Sequence, residues 1–333
     1  MAESDEFEDP CQIWPIFFNR TKIPNIRLQA RDIDIFDWVY KFRFLTAYQI
    51  AGLVEAVEEK TADPNYQFKG GQEAVLKRVA RLQQAGYLNA ITKVFHKHIY
   101  TLGPKAIDAL VLERGIEREA SQRVIEQKKR GDKHIAHSLL IAEFGATLAL
   151  ACKETDEVKL ITWLPESNER QLELEIPASQ LTDVIKKWQT GGELKLTKKP
   201  DAIFGLEDKQ GKMFFVLEAD RGTMTSDRFL KKMVTYYYFL AQDKFKQWSL
   251  DKFIHPEGKP IKNFRVITYT VTQQWQETLI KNSLLVNPEH SGSRMFWFTN
   301  QALVNPERPA SIFEPIFSIA QISELNHTYS ILE

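Results

Sequence analysis

The sequence predicts an α+β protein in two parts: a small helical domain closed by a hairpin, then a larger domain mixing strands and helices. Three observations carry this. At 333 residues and 43% apolar content the chain exceeds one ordinary domain and can fill packed cores. From Asp32 to Leu112 apolar residues recur at helical spacing, punctuated by Gly and Pro. From His134 onward one long apolar helix gives way to short apolar runs separated by turn residues.

The first nine residues hold five acids and no base, so residues 1–30 read as an acidic tail and arm. Asp32 to Phe44 carries Ile33, Phe36, Val39 and Tyr40 on one helical face. Thr46 is a cap for a helix over Tyr48 to Glu58, which buries Ile50, Leu53, Val54 and Val57. Gly70-Gly71 is expected to break the chain before a helix at Gln72–Ala85, whose core face is Val75, Leu76, Val79 and Leu82. Gly86 stops that helix. Ile91 to Leu102 reads as a two-stranded wing with a poorly marked turn, and Gly103-Pro104 opens a last helix to about Leu112.

This order resembles the winged helix-turn-helix over residues 31–115, with VLKRVARLQQAGYL as recognition helix and YTLGPKAIDAL as the return from the wing. Between Lys69 and Lys105 seven bases face one acid, Glu73, although the whole chain balances 44 bases against 44 acids. Such a patch suits phosphate contact with the helix in a major groove, and the resemblance implies Lys77, Arg78, Arg81, Lys93 and Lys97 as the DNA-binding residues. Two alternatives stand beside it: the bases only solubilise the domain, or the wing mediates dimerisation. His96 and His98 lack a nearby acid or thiol and read as wing surface rather than metal ligands.

Residues 116–133 form a basic linker, and residues 134–333 the second domain. His134–Cys152 is apolar on most of its surface, interrupted by Glu143, and reads as a buried helix too short to span a membrane. A strand at Val158–Leu164, a polar excursion to about Gly192 and an acidic hairpin follow. Its strands are Lys195–Phe204 and Met213–Asp220, joined through Glu207–Lys212. A two-residue loop at Lys209-Gln210 sets Asp201 opposite Glu218, and Asp220, two residues on, shares the Glu218 face. Then come a helix at Asp227–Leu240, a strand at Phe264–Val271, a helix at Gln273–Ser283 and a strand near Met295–Thr299.

Pro200-Asp201 followed by Glu218-Ala219-Asp220 resembles the PD-(D/E)xK phosphodiesterases of the restriction-endonuclease-like fold, and the element order agrees with that fold. The resemblance implies Mg²⁺ or Mn²⁺ held by Asp201 and Glu218, with Glu143 as a third carboxylate, activating a water against a phosphodiester. The chain departs from the pattern at Asp220, which stands where the lysine is expected. Lys232, on the following helix, is the candidate replacement. Asp220 in place of Lys argues for a silent site, and acids at both paired positions argue for an active one. Solvent-facing charge on a hairpin edge is the plain alternative to both.

The winged helix with KPDAIF, FFVLEADRGT and RFLKKMVTYY resembles the replication-relaxation family of mobile elements. Position by position His137, Asp201, Glu218, Asp220, Lys232 and Tyr236 match that pattern, with Gly222 and Thr223 after the strand acids. The resemblance implies a DNA-binding protein of a plasmid or other mobile element, acting in replication, mobilisation or their regulation. The alternative is an active Mg²⁺- or Mn²⁺-dependent nickase or endonuclease. Implied partners are double-stranded DNA, a second copy of the chain and the element's replication or transfer proteins. Nucleotide-cofactor and serine-hydrolase motifs are absent. Cys11 and Cys152 have no metal-ligand spacing, and the acidic N-terminus is unlike a secretory signal, so a cytoplasmic protein without a membrane partner is expected.

Overall fold

The computed structural model describes residues 25–55, 69–91, 99–116, 132–180, 183–188, 193–252 and 254–333. The chain divides into two compact units, Met1–Ile135 and Ala136–Glu333. The acidic tail through residue 24, most of the linker, and His96, His98, Lys93 and Lys97 of the wing lie outside the described residues.

In the first unit α1 (Ala30–Phe42), β1 (Leu45–Thr46), α2 (Ala47–Glu55) and α3 (Lys69–Gln84) precede β2 (Leu88–Ile91), β3 (Ile99–Leu102) and α4 (Pro104–Arg114). The three strands form an antiparallel sheet with β3 between β1 and β2. Helix starts follow local chemistry. Asp32 Oδ2 accepts from Gln29 N at 2.8 Å ahead of α1, and Thr46 Oγ1 accepts from Gln49 N at 3.2 Å ahead of α2. Gly70-Gly71 does not break the chain before α3 but falls inside its first turn. Gly86, at φ +82°, ends α3 as expected. A side chain at Gly103 would bring Cβ to 2.4 Å from Gly86 O, so Gly103 lets the backbone segments meet.

The second unit begins within α5 (Asp132–Glu154), whose 23 residues exceed the expected length. By length and composition His134–Glu154 is sufficient to cross a bilayer, which corrects the expectation that it is too short. It is nevertheless mostly buried, with Phe144 packed on Phe204 and Tyr269. A seven-stranded sheet follows in the order β12-β11-β10-β9-β8-β7-β4. Its strands are β4 (Lys159–Pro165), β7 (Ala202–Asp208), β8 (Gly211–Asp220), β9 (Arg265–Thr270), β10 (Gly292–Asn300), β11 (Phe317–Gln321) and β12 (Thr328–Tyr329). The β4–β7, β7–β8, β10–β11 and β11–β12 pairs are antiparallel, whereas β8, β9 and β10 are parallel. Parallel neighbours need crossovers, supplied by α6 (Ser226–Ala241) with α7 (Lys244–Asp251), and by α8 (Gln273–Ser283). Thr225 and Thr272 cap α6 and α8 through their hydroxyls.

The polar excursion is not a loop. It holds β5 (Leu172–Pro177) and β6 (Glu193–Lys198), paired antiparallel as a separate two-stranded sheet. Leu172, Leu174, Ile176, Leu194 and Leu196 point inward and join the core beneath α6. The expected strand at Lys195–Phe204 is therefore two strands in different sheets, β6 and β7, divided by Lys199-Pro200-Asp201. Proline has no amide to donate, and it stands where the chain changes sheets.

Candidate functional site

The hairpin β7–β8 turns on Lys209-Gln210, with Asp208 Oδ1 accepting from Gln210 N and Gly211 N at 2.8 and 3.0 Å. Ala202 pairs with Leu217, so one further step along the ladder sets Asp201 opposite Glu218. There the Asp201 side chain continues the ladder itself, Oδ2 accepting from Ala219 N at 2.9 Å.

Glu218 is 1% exposed, and both its oxygens are occupied. Lys198 Nζ lies 3.0 Å from Oε1, and Lys232 Nζ lies 2.8 Å from Oε2. The Tyr236 hydroxyl donates to Oε1. Lys232 and Tyr236 are four residues apart on α6 and so share the face turned to β8. His137 of α5 closes the other side, its Nε2 3.4 Å from Asp201 Oδ1. Asp201, Glu218, Lys232, His137 and Tyr236, separated by up to ninety-nine positions in sequence, thus share one cluster, in which the two acids and Tyr236 are buried and Lys232 and His137 half-buried. Lys198 is the member that sequence reasoning missed. Its signal was a lysine in period-two register with inward-facing Leu194 and Leu196.

The electrostatics follow from this packing. Burial pushes the Asp201 carboxyl up, but the charges of Lys198 and Lys232 and the His137 hydrogen bond outweigh it and hold it well below the usual carboxylate range. Burial likewise opposes the charge on Lys232, yet Glu218 and Asp201 raise its pKa above the ordinary lysine value. Burial lowers His137, and Asp201 more than restores it, for a net upward shift. Burial beside Glu218 raises the Tyr236 phenol far above its normal value, so it stays a donor.

Asp220 is engaged separately. Its Oδ1 accepts from Gly222 N at 2.7 Å and Trp275 Nε1 at 2.9 Å, tying β8 to α8, while its buried Oδ2 has no hydrogen-bond partner. Glu143 is not a third ligand beside Asp201 and Glu218. Its Oε1 accepts from Tyr269 Oη at 2.5 Å and Gln301 Nε2 at 2.8 Å. Among the described residues no three or more His, Cys, Asp or Glu side chains surround a common metal position. With Glu143 held by Tyr269 and Gln301 and two lysines against Glu218, these residues do not form the three-carboxylate donor set expected for Mg²⁺ or Mn²⁺. The lysines supply the positive charge that a cation would bring.

The basic residues of α3 divide in the same manner. Arg78 is withdrawn from the expected DNA contacts: its Nε donates to Asp32 Oδ1 at 2.8 Å and a terminal nitrogen to Asp32 Oδ2 at 2.5 Å. Asp32 is fully buried, so this arginine neutralises a core acid. Arg81 is exposed, and exposed Lys77 forms a helical pair with Glu73. Lys105 donates to Ala85 O at 2.7 Å, closing the carbonyl end of α3.

Residues 36–250 match the model of the replication-relaxation family, which covers well over half of the chain. The chain belongs to that family. No curated protein and no solved structure gives a significant match.

Proposed function

We propose that this replication-relaxation protein binds double-stranded DNA in the replication or mobilisation of a mobile element, through a winged helix joined to a catalytically silent nuclease-like unit. The family supports the biological setting. The order α1-β1-α2-α3-β2-β3-α4 with its three-stranded sheet supports the winged-helix reading, and α3 with exposed Lys77 and Arg81 is its groove-facing element. A helix, three antiparallel strands, a helix and a strand parallel to the third support the nuclease-like reading of the second unit.

Silence rests on one observation: both oxygens of Glu218 are bound by lysines. Three donors take three of the roughly four lone-pair directions of this carboxylate, the two lysines place positive charge where a divalent cation would sit, and Tyr236 stays protonated and so cannot act as a base. The cluster instead locks β6, β8 and α6 together. The competing reading is a Mg²⁺- or Mn²⁺-dependent nickase with Asp201, Glu218 and Lys232. It draws on the convergence of these side chains and requires both lysines to leave Glu218.

Incubation with linear duplex and with supercoiled plasmid, in Mg²⁺ and in Mn²⁺, separates the two. The expected result is salt-sensitive retardation of the duplex with the plasmid left supercoiled. Nicking by the intact protein that disappears in Glu218→Ala would establish the nickase instead.

A further inference from the structure

At the opposite end of the parallel strands from Glu218 and Asp220 lies a cavity of about 520 Å³. Its wall includes Arg265 at the start of β9, Arg294 near the start of β10, Trp297, Tyr329 and one carboxylate, Glu333. The volume falls within the range of small-ligand sites.

Arg265 is the unusual member. Its guanidinium lies 4.5 Å from the Trp297 ring centre and 6.0 Å from that of Phe215, stacked on aromatic surface. One terminal nitrogen is buried and has no hydrogen-bond partner. A buried donor without a partner is costly, and an anion or water in the cavity would complete it. Burial and the charge of Arg294 both lower its pKa, with Glu333 opposing them, so an added anion would relieve the repulsion. Arg294 pairs at 2.7 Å with Glu324, yet its side chain stays 61% exposed, leaving donors toward solvent.

We propose that this cavity binds one nucleoside-phosphate unit, with the phosphate on Arg265 and Arg294 and the base against the Tyr329 ring. Arginine forks match phosphate oxygens, and an aromatic wall accepts any base face. A bare phosphate would leave most of the volume unused. The same chemistry is offered by a free nucleotide and by a unit of single-stranded DNA. This site is separate from duplex binding by the first unit and does not depend on it.

The test measures binding of the full chain to a fluorescent single-stranded oligo-dT, to dAMP, to inorganic phosphate and to duplex. The variants are Arg265→Met, which keeps the stacked stem, Arg294→Gln and Tyr329→Leu. Expected is a Kd for oligo-dT or dAMP at least about tenfold higher in Arg265→Met, with duplex affinity unchanged. For the oligonucleotide the salt slope should fall by about 0.7 per lost phosphate contact. Tyr329→Leu should weaken dAMP and leave inorganic phosphate as in the parent. Saturation by dAMP as tight as by oligo-dT assigns a free nucleotide, and binding of oligo-dT alone assigns a strand. If Arg265→Met fails to fold, Arg294→Gln carries the comparison, with a loss of about threefold expected for one exposed contact. The site is overturned if the parent protein binds neither probe, or if the folded arginine variants bind both as the parent does.

Discussion

Lys232 and Glu218 form a buried ion pair, Nζ to Oε2 2.8 Å, between the middle of α6 and the end of β8. The acid also meets Lys198 and Tyr236, so its charge is compensated on every side where the chain supplies a group. The pair joins elements that crossover topology alone leaves free to slide.

Replacing Lys232 by Met should destabilise the second unit by about 3 kcal/mol, because Glu218 keeps its burial and loses one of two cations. Glu218→Gln combined with Lys232→Met should recover a part of that loss. Urea denaturation of the two single variants and the double variant checks the coupling.

Stability should pass through a maximum with pH. Asp201 has a depressed folded pKa, so its contribution is complete above the unfolded value of about 3.9 and is lost as pH falls through the folded value. His137 has a raised folded pKa, so its contribution is complete below about 6.5 and is lost as pH rises through the folded value. Melting temperature should therefore be higher at pH 6 than at pH 8.5, a difference that His137→Gln removes. Below pH 4 the decline should be shallower in Asp201→Asn.

Two arginines three residues apart on α3 should behave differently. Arg81→Ala should leave the melting temperature unchanged, weaken duplex binding and reduce its salt slope by about 0.9. Arg78→Ala should cost about 2 kcal/mol, since Asp32 stays buried without its partner while the partly exposed arginine limits the loss. Equal melting temperatures for the two variants would contradict this division.

Gly103→Ala should lower stability of the first unit by about 2 kcal/mol, because the new Cβ meets the Gly86 carbonyl, a backbone atom with little freedom to yield. Gly115, where an added Cβ meets nothing but φ is +66°, should tolerate Ala at a smaller strain cost of about 1 kcal/mol. Thermal unfolding of both variants measures the contrast.

Local chemistry made much of this fold legible. The turn at Lys209-Gln210 gave the register of β7 and β8, and Thr46 gave the start of α2, because each signal acts within a few residues. Lys232 and Tyr236 were named through the family resemblance, and helical spacing puts the two on one face. The arrangement around Glu218 was not, since Lys198 reaches it from another sheet. Strict alternation in Leu172–Ile176 and Leu194–Leu196 was a strand signal obscured by the acids and lysines between those residues. Arg78 misled for a related reason: a basic residue on a helix has the same sequence signature whether it faces phosphate or a core acid such as Asp32.

Asp201 accepts from the Ala219 amide where the backbone of β7 has already turned away at Pro200. Its side chain thus serves as the last rung of a ladder. Masonry of this kind is indifferent to chemistry: the carboxylate is needed to finish the strand end whether or not a phosphodiester is ever presented to it. In this chain the aspartate therefore marks the boundary between two sheets.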